Sequence, residues 1–323
     1  MSFPKLRVLL AVAAALGSQA PLHAQDTASF PSKVIRIISP YAPGGQTDPL
    51  TRNAANVVSK KVGQPIIMEN KPGAGTLIAT RFVKEADADG YTLLMQSNGF
   101  VSNVHAFKDP GYSLADFKPV VVLGQSSYVL MTPSKLPARN VKEFVAYAKG
   151  RKDLSYGTLG QGGRTHILAE ELAKQAGFNW QLIPFKGGAD GVTALMGSHI
   201  HGYFASVGLA GPQAASPNLR LLAIASEERS EYLPNVPTFK EEGYPAMTDT
   251  LWIALFARAN TPAPVLEKLR TLFAEAVNSP EFKAGNRGNT SNYAASLVTF
   301  ESQMQTALKK TVQEFKEYNL TQQ

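Results

Sequence analysis

Three glycine-rich turns combine residue types and spacings that suit the binding of an anion. They read "YAPGGQTD" from Tyr41, "YGTLGQGGRTH" from Tyr156 and "PFKGGADG" from Pro184. Glycine lets a ligand approach the backbone closely, and the open N–H groups at the start of a following helix favour negative charge. The three turns therefore predict a binding site for an anion.

The first turn enters a helix through Thr47 and Asp48, and either side chain is suited to cap it. We expect a carboxylate at this helix start, with Asp48 as cap and positioner. Because Asp48 would repel a carboxylate, a water or a donor group of the ligand should lie between them. An ordinary capped helix start without a ligand is the alternative.

The second turn adds a positive charge at Arg164. The five N–H donors of its guanidinium suit bidentate binding of a second carboxylate. A solvated surface arginine is the alternative. His166 is either a ligand group or a structural histidine, and we expect Thr165 to cap the helix. In the third turn, Lys186 either offers a point charge or extends to solvent.

The sequence around these turns places them at the ends of strands. From "KVIRII" to "DADGYTLLM" it alternates strand, helix, strand, helix, strand, which implies a parallel sheet with right-handed crossovers. Strands and helices alternate again from "SYVLMTPS" to "LRLLAIAS", and two amphipathic helices follow near the end. Open α/β sheets bind ligands at the carboxyl ends of their strands. The sequence thus predicts two α/β lobes that face each other across a ligand cleft.

Residues 1–24 have the three-part layout of a secretory signal peptide. Lys5 and Arg7 precede the short apolar run "VLLAVAAALG", and Ala24 offers a small residue for cleavage. The run is much shorter than the roughly 20 apolar residues of a membrane span. We therefore expect cleavage near Ala24 and export to the periplasm.

The composition excludes several classes of site and partner. The sequence has 323 residues, a formal net charge of +7 and no cysteine, which excludes disulfides and thiolate metal sites. Its basic residues are scattered, so nucleic-acid binding is not expected. No G-x-S-x-G, P-loop or H-E-x-x-H motif occurs, and we predict no catalytic residue, metal or cofactor. A periplasmic serine hydrolase built from distant residues is the alternative of another class.

Seven segments in a fixed order resemble the Bug-type extracytoplasmic solute receptors, the TctC-like binding proteins of tripartite tricarboxylate transporters. Besides the three turns, they are "GQPIIMENKPGAGT", "ADGYTLL", "VPTFKEEGYP" and "LWIALFARANTPAPVLEKL". The resemblance runs from about Pro31 to about Lys316. It implies an α/β, type II periplasmic binding protein fold with two crossover connections. It also implies that the lobes close on a carboxylate, held through waters and backbone groups, and pass it to integral-membrane permease subunits.

Two departures from the family pattern bear on the ligand. Many members carry an acidic residue in the strand that reads "HIHGYFAS" here, and some have a smaller residue than Arg164. Both departures favour a dianion, either an aliphatic diacid or a benzene dicarboxylate of the terephthalate or phthalate type. The aromatic residues that either sandwich such a ring or pack in the core are Tyr41, Phe100, Tyr128 and Phe185.

The sequence therefore predicts a periplasmic receptor, expected to be a monomer, for an organic dicarboxylate. We predict that residues 25–125 and 229–323 form one lobe and 126–228 the other, with hinges at 124–128 and 226–229. An amino acid whose ammonium pairs with Asp48 is the alternative ligand. The predicted ligand-binding residues are Tyr41, Pro43, Gly44, Gly45, Thr47, Asp48, Ser97, Asn98, Thr158, Gly163, Arg164, Thr165, His166, Phe185, Lys186, Gly187 and Ser206.

Overall fold

The fold is described for residues 29–287 and 296–320 of a computed structural model. The chain divides into Met1–Phe30 and a second unit, Pro31–Gln323, which holds both sheets and all the helices named below. The predicted signal peptide and its cleavage site near Ala24 lie outside the described residues. No helix within them is long and apolar enough to cross a membrane.

Five strands form the first sheet, with most of their side chains apolar and buried. Numbered along the chain, they are β1 (Ile35–Ser39), β2 (Ile66–Asn70), β3 (Thr92–Ser97), β4 (Phe117–Ser126) and β10 (Leu251–Arg258). Their order is β2-β1-β3-β10-β4. β1 is parallel to β2 and β3, which confirms the predicted β-α-β-α-β unit, whereas β10 is antiparallel to β3 and β4.

The second sheet repeats this arrangement. Its strands are β5 (Tyr128–Pro133), β6 (Ser155–Thr158), β7 (Gln181–Pro184), β8 (Gly202–Ser206) and β9 (Leu219–Ala225). Their order is β7-β6-β8-β5-β9, with β6 parallel to β7 and β8 and with β5 antiparallel to β8 and β9. The two-lobed α/β architecture predicted from the sequence is confirmed.

Helices cover both sheets with their apolar faces. On the first helix Leu50, Ala54 and Val58 are fully buried, and Gly63 ends it in the left-handed conformation with φ 67°. The helices are α1 (Thr47–Val62), α2 (Leu77–Glu85), α3 (Gly99–Ala106), α4 (Val141–Lys149), α5 (Arg164–Ala176), α6 (Gly188–Met196), α7 (Val207–Ala210), α8 (Ala263–Asn278), α9 (Pro280–Gly285) and α10 (Leu297–Glu317).

The chain first crosses between the sheets at Ser127. Ser126 still pairs with β10 of the first sheet, whereas Tyr128 already pairs with β8 and β9 of the second. This crossing lies within the predicted hinge at 124–128.

The segment after β9 stays close to the second sheet. The Phe239 N–H donates to the Ile224 carbonyl oxygen at 2.9 Å, and Phe239 and Met247 are buried in the same apolar cluster as Leu130 of β5. The Asn98 side chain, from the first lobe, donates to the carbonyl oxygen of Thr250. These contacts favour a return crossing near Thr250 over one at 226–229, and the division into lobes stays a prediction.

The last part of α10 contacts helices of both lobes. Phe315 packs in a small apolar cluster with Ala106 of α3 and Ile167 of α5. Since α3 follows β3 of the first sheet and α5 follows β6 of the second, α10 joins the two lobes away from the crossing strands.

Candidate functional site

A cavity of about 90 Å³, called the interlobe cavity below, lies where the two lobes meet. Ser97 at the end of β3 and Ser206 at the end of β8 line it, together with Tyr128 at the start of β5. Both sheets therefore present the carboxyl ends of strands to the same space. This is the position of the cleft predicted from the sequence, and it is where open α/β sheets bind ligands.

Two contacts between the lobes flank the interlobe cavity. On one side the Ala42 N–H donates to the Lys186 carbonyl oxygen at 3.3 Å, and a Cβ at Gly187 would lie 2.9 Å from the Cβ of Ala42. On the other side, a Cβ at Gly160 would lie 3.1 Å from the Cα of Gly75. Side chains at either glycine would press against the opposite lobe, so glycine at these positions allows the lobes to approach.

Besides α2 and α7, which begin next to the lining residues Thr76 and Ser206, four helices begin at the interlobe cavity. Its lining includes Gly45 and Thr47 at the start of α1, Gly99 at the start of α3, Gly163 at the start of α5 and Gly188 at the start of α6. None of these four helices has a side-chain cap. The first N–H groups of a helix lack partners within it and carry the positive end of the helix dipole. Their convergence makes the cavity an electropositive space that favours an anion.

The two predicted helix caps are wrong. The residue before α1 is Gln46, and Asp48 lies in the first turn, where its Oδ2 accepts from Arg52 Nε at 3.1 Å. The residue before α5 is Gly163, and Thr165 Oγ1 lies 2.8 Å from Thr158 Oγ1 instead of capping the helix. In both cases the glycine-rich turn begins the helix without help from a side chain.

Arg164 reaches the cavity from the first turn of α5, with 8% of its side chain exposed. Its Nε donates to Asp249, and its Nη1 donates to Glu314 Oε2 at 2.6 Å. Burial opposes the charge, but these two carboxylates raise the pKa of Arg164, so the guanidinium stays protonated. Its Nη2 is buried without a hydrogen-bond partner. The alternative of a solvated surface arginine is therefore wrong.

Tyr41 and Ser97 contribute a pair of hydroxyl groups. The Tyr41 Oη lies 2.5 Å from Ser97 Oγ, and both residues line the interlobe cavity. Burial raises the pKa of Tyr41 to about 12, so its hydroxyl keeps its proton at neutral pH. One of the two hydroxyl protons forms the hydrogen bond between the two oxygens. The other hydroxyl proton is left to donate to a ligand oxygen.

The interlobe cavity carries little charge besides that of Arg164. Among the described residues that line it, Arg164 is the only charged one. Asp48, which was expected to pair with an ammonium group in the alternative ligand, does not line the cavity and pairs with Arg52. The environment thus suits an anion better than an amino acid. Within residues 29–287 and 296–320, no group of three His, Cys, Asp or Glu side chains is arranged to hold a metal ion.

The predicted binding residues divide into those that line the interlobe cavity and those that do not. The lining residues are Tyr41, Gly45, Thr47, Ser97, Gly163, Arg164, Thr165 and Ser206. The residues outside the lining are Pro43, Gly44, Asp48, Asn98, Thr158, His166, Phe185, Lys186 and Gly187.

His166 supports the turn before α5 instead of lining the cavity. Its Nδ1 accepts the Gly162 N–H at 2.8 Å. Burial lowers the pKa of His166 to about 4, so the imidazole is neutral at neutral pH and able to accept this bond. Of the two interpretations offered by the sequence, the structural histidine agrees with these contacts.

Asn98, Phe185 and Lys186 have other surroundings. Asn98 lines a second cavity of about 730 Å³ and bonds to backbone groups of Thr250 and Trp252. Phe185 packs against the apolar core of the second lobe, and Lys186 is exposed to solvent. These three side chains therefore contribute neither an aromatic ring nor a charge to the interlobe cavity.

Several lining residues were not among the predicted ones. Gly99 and Gln161 adjoin predicted residues, so widening each turn by a few positions would have found them. Asn103 lies inside α3 and Tyr203 inside β8, where no local signal in the sequence marks a ligand residue. Of the four aromatic candidates, Phe100 is fully buried against Tyr112, Phe117 and Phe256 and belongs to the core.

Comparisons with known proteins agree with this architecture. The family model described as "Tripartite tricarboxylate transporter family receptor" matches residues 50–319. A UPF0065 protein of Bordetella pertussis is 34% identical over 275 residues, which cover 84% of each chain. The solved structure of the periplasmic binding protein BugD has a TM-score of 0.86 at 26% identity, covering 91% of this chain and 100% of that one.

Two similar solved structures hold ligands. MatC from Rhodopseudomonas palustris with bound malate has a TM-score of 0.83 at 25% identity and covers 88% of this chain and 99% of its own. R. palustris Rpa4515 with adipate has a TM-score of 0.86 at 25% identity and covers 90% of this chain and 99% of its own.

The family match extends over most of the sequence and over both lobes. Its members are periplasmic solute-binding receptors and not enzymes, so the serine hydrolase alternative is dropped. The chain is similar to the Bug proteins BugT and BugD, and it belongs to the receptor family of the tripartite tricarboxylate transporters.

Proposed function

We propose that this receptor binds a small organic dicarboxylate in the interlobe cavity and delivers it to the permease subunits of a tripartite tricarboxylate transporter. The observation that carries the proposal is the convergence of four uncapped helix starts on a cavity without an acidic side chain among its described lining residues. One carboxylate of the ligand accepts hydrogen bonds from these backbone groups, directly or through water.

The second carboxylate binds Arg164. The guanidinium is charged, and its Nη2 is buried without a hydrogen-bond partner. Arg164 lines both the interlobe cavity and the second cavity. A charge-assisted hydrogen bond from this group is stronger than a neutral one. The dicarboxylates in the similar structures with malate and adipate support the same class of ligand.

An aliphatic diacid is the proposed ligand class, because the similar structures hold malate and adipate. The interlobe cavity, of about 90 Å³, is smaller than the roughly 150 Å³ that holds a benzene ring, so any dicarboxylate requires the lobes to move apart from the arrangement seen here. Tyr41, Tyr128 and Tyr203 line the cavity, so the alkyl part of the ligand packs against their rings.

Binding occurs by a hinge motion of the lobes. We propose hinges near Ser127 and Thr250, because the contacts of the two sheets change at these positions. Closure brings the glycine turns of both lobes onto the ligand and excludes water. The leader at 1–24 is proposed to direct export, with cleavage near Ala24, and the mature receptor acts in the periplasm.

A thermal-shift screen of the mature protein tests this function. The compounds are mono-, di- and tricarboxylates, aromatic acids and amino acids. A ligand at 100 times its dissociation constant stabilises the folded state by about 2.7 kcal/mol. We expect aliphatic dicarboxylates to raise the melting temperature and to be recovered unchanged after long incubation. Stabilisation by amino acids alone, or by no carboxylate, would overturn the proposal.

A further inference from the structure

Arg164 is held by two carboxylates that do not line the interlobe cavity, and Arg164 and Asp249 both also line the second cavity. Asp249 lies near the proposed return hinge, and Glu314 lies on α10. All three side chains are buried, with 8%, 9% and 6% of Arg164, Asp249 and Glu314 exposed. The carboxylates occupy Nε and Nη1 and leave Nη2 as the donor group without a partner. The guanidinium is thereby fixed in one orientation.

The charges around Arg164 are nearly balanced. Lys310 Nζ lies 3.5 Å from Glu314 Oε1, so the cluster of Arg164, Lys310, Asp249 and Glu314 contains two cations and two carboxylates. Burial raises the pKa of the neighbouring Glu171 to about 7, so at neutral pH it contributes only part of a negative charge. The cluster is therefore close to neutral overall, and what it leaves unused is the hydrogen-bonding capacity of Nη2.

We infer that Glu314 and Asp249 are positioning residues that aim Arg164 Nη2 at the second carboxylate of the ligand. The C-terminal helix thus takes part in ligand selection without touching the ligand. The inference rests on the proposed dicarboxylate function and adds to it the residues that set the preference for a diacid over a monoacid. A cluster that merely holds α10 against α5 is the competing explanation, because Phe315 also joins these helices.

Glu314→Gln separates the two explanations. The amide keeps the size of the side chain and one acceptor oxygen but removes the charge that orients Arg164. The probes are pairs in which a methyl group replaces one carboxylate, namely adipate with hexanoate and malate with 3-hydroxybutyrate. Calorimetric dissociation constants are measured for the wild type and the variant.

We expect Glu314→Gln to weaken binding of the diacid at least tenfold and binding of the matched monoacid less than twofold. Glu317→Gln is the control, because Glu317 forms an exposed ion pair with Lys174 between the same two helices. This control should change neither constant. An equal loss for diacid and monoacid in Glu314→Gln, or no loss at all, overturns the inference.

A measurement on the wild type covers the case in which the variant does not fold. We expect the guanidinium NMR signals of Arg164, assigned by their loss in Arg164→Lys or by selective labelling, to shift with the diacid and not with the monoacid. Equal shifts with both acids contradict the inference. A wild type that binds no carboxylate overturns the proposed function itself, whereas a wild type that binds both acids equally well overturns only the role of Arg164 and its partners.

Discussion

Helix starts at the interlobe cavity differ from three helix starts elsewhere in the molecule. α4, α9 and α10 begin with Asn140, Ser279 and Ser296, and each of these side chains accepts a backbone N–H of the first turn. α1, α3, α5 and α6 have no such acceptor. The capped helices satisfy their own first turn, whereas the uncapped ones leave donors for a group from outside the chain. Because α8 also begins without a side-chain cap, away from the cavity, it is the convergence of uncapped starts on one cavity that marks the ligand site.

The largest expected effect comes from placing a carboxylate at an uncapped start. Gly45→Asp is sterically tolerable, because a Cβ at Gly45 would meet only the Gly188 nitrogen, at 3.9 Å. The new carboxylate occupies the position proposed for the ligand. We expect calorimetry to show at least a 100-fold loss of diacid affinity, equivalent to about 2.8 kcal/mol.

Lys142→Glu is the control for that substitution, and it lowers the net charge by two units where Gly45→Asp lowers it by one. It places a carboxylate in the first turn of the capped helix α4, on an exposed residue. The affinity for the diacid should stay within twofold of the wild type. Equal losses in both variants would show that net charge, and not the cavity, controls binding.

His166, in the first turn of α5, should make the stability of the protein depend on pH. The pKa of His166 falls from its usual 6.5 to about 4 in the folded protein because of burial. Between these values the unfolded chain binds more protons than the folded one, so stability falls as the pH falls from about 6.5 to 4. The full loss below pH 4 is about 3 kcal/mol by linkage.

His166→Asn tests this pH dependence, since an amide oxygen replaces Nδ1 as acceptor for the Gly162 N–H. Urea unfolding at pH 7, 5.5 and 4 should show a smaller loss of stability on acidification than in the wild type. His199→Asn, at an exposed histidine, should keep the wild-type loss. An unchanged pH dependence in His166→Asn would contradict the assignment.

The smallest expected effect comes from removing one helix N-cap that lies away from the cavity. Asn140 Oδ1 accepts the Glu143 N–H at 2.8 Å, and removal of such a cap costs about 1 kcal/mol. Asn140→Ala should lower the free energy of unfolding by this amount in urea titrations and leave diacid affinity unchanged. Asn140→Asp, which keeps an acceptor, should restore stability. A change in affinity with Asn140→Ala would break the distinction between the two sets of helices.

Local patterns in the sequence account for the lobes and the glycine turns. The apolar spacing of α1, its end at Gly63 and the strand "KVIRII" need no information from distant residues. The turns at Gly45 and Gly163 were placed at the cavity for the same reason, because they follow strands and open helices.

Contacts between distant residues account for what the sequence reasoning missed. The partners of Arg164 lie 85 and 150 positions further along the chain, at Asp249 and Glu314. Charge and exposure of an arginine depend on such partners, and no spacing in the sequence reveals them. The caps expected from Thr47, Asp48 and Thr165 failed for a different reason. Favourable residue types were present, but Asp48 and Thr165 bond elsewhere, and Thr47 is the first residue inside α1 instead of the residue before it.

The position of β10 has a consequence for how the chain reaches its native state. This strand, Leu251–Arg258, lies between β3 and β4, so the first sheet stays split until at least 258 of the 323 residues have been made. Pairing across such a sequence separation is slow compared with the formation of local hairpins and helices. For the exported precursor proposed here, the first sheet therefore stays incomplete during most of synthesis, and we expect this delay to favour an unfolded nascent chain while its leader is exposed.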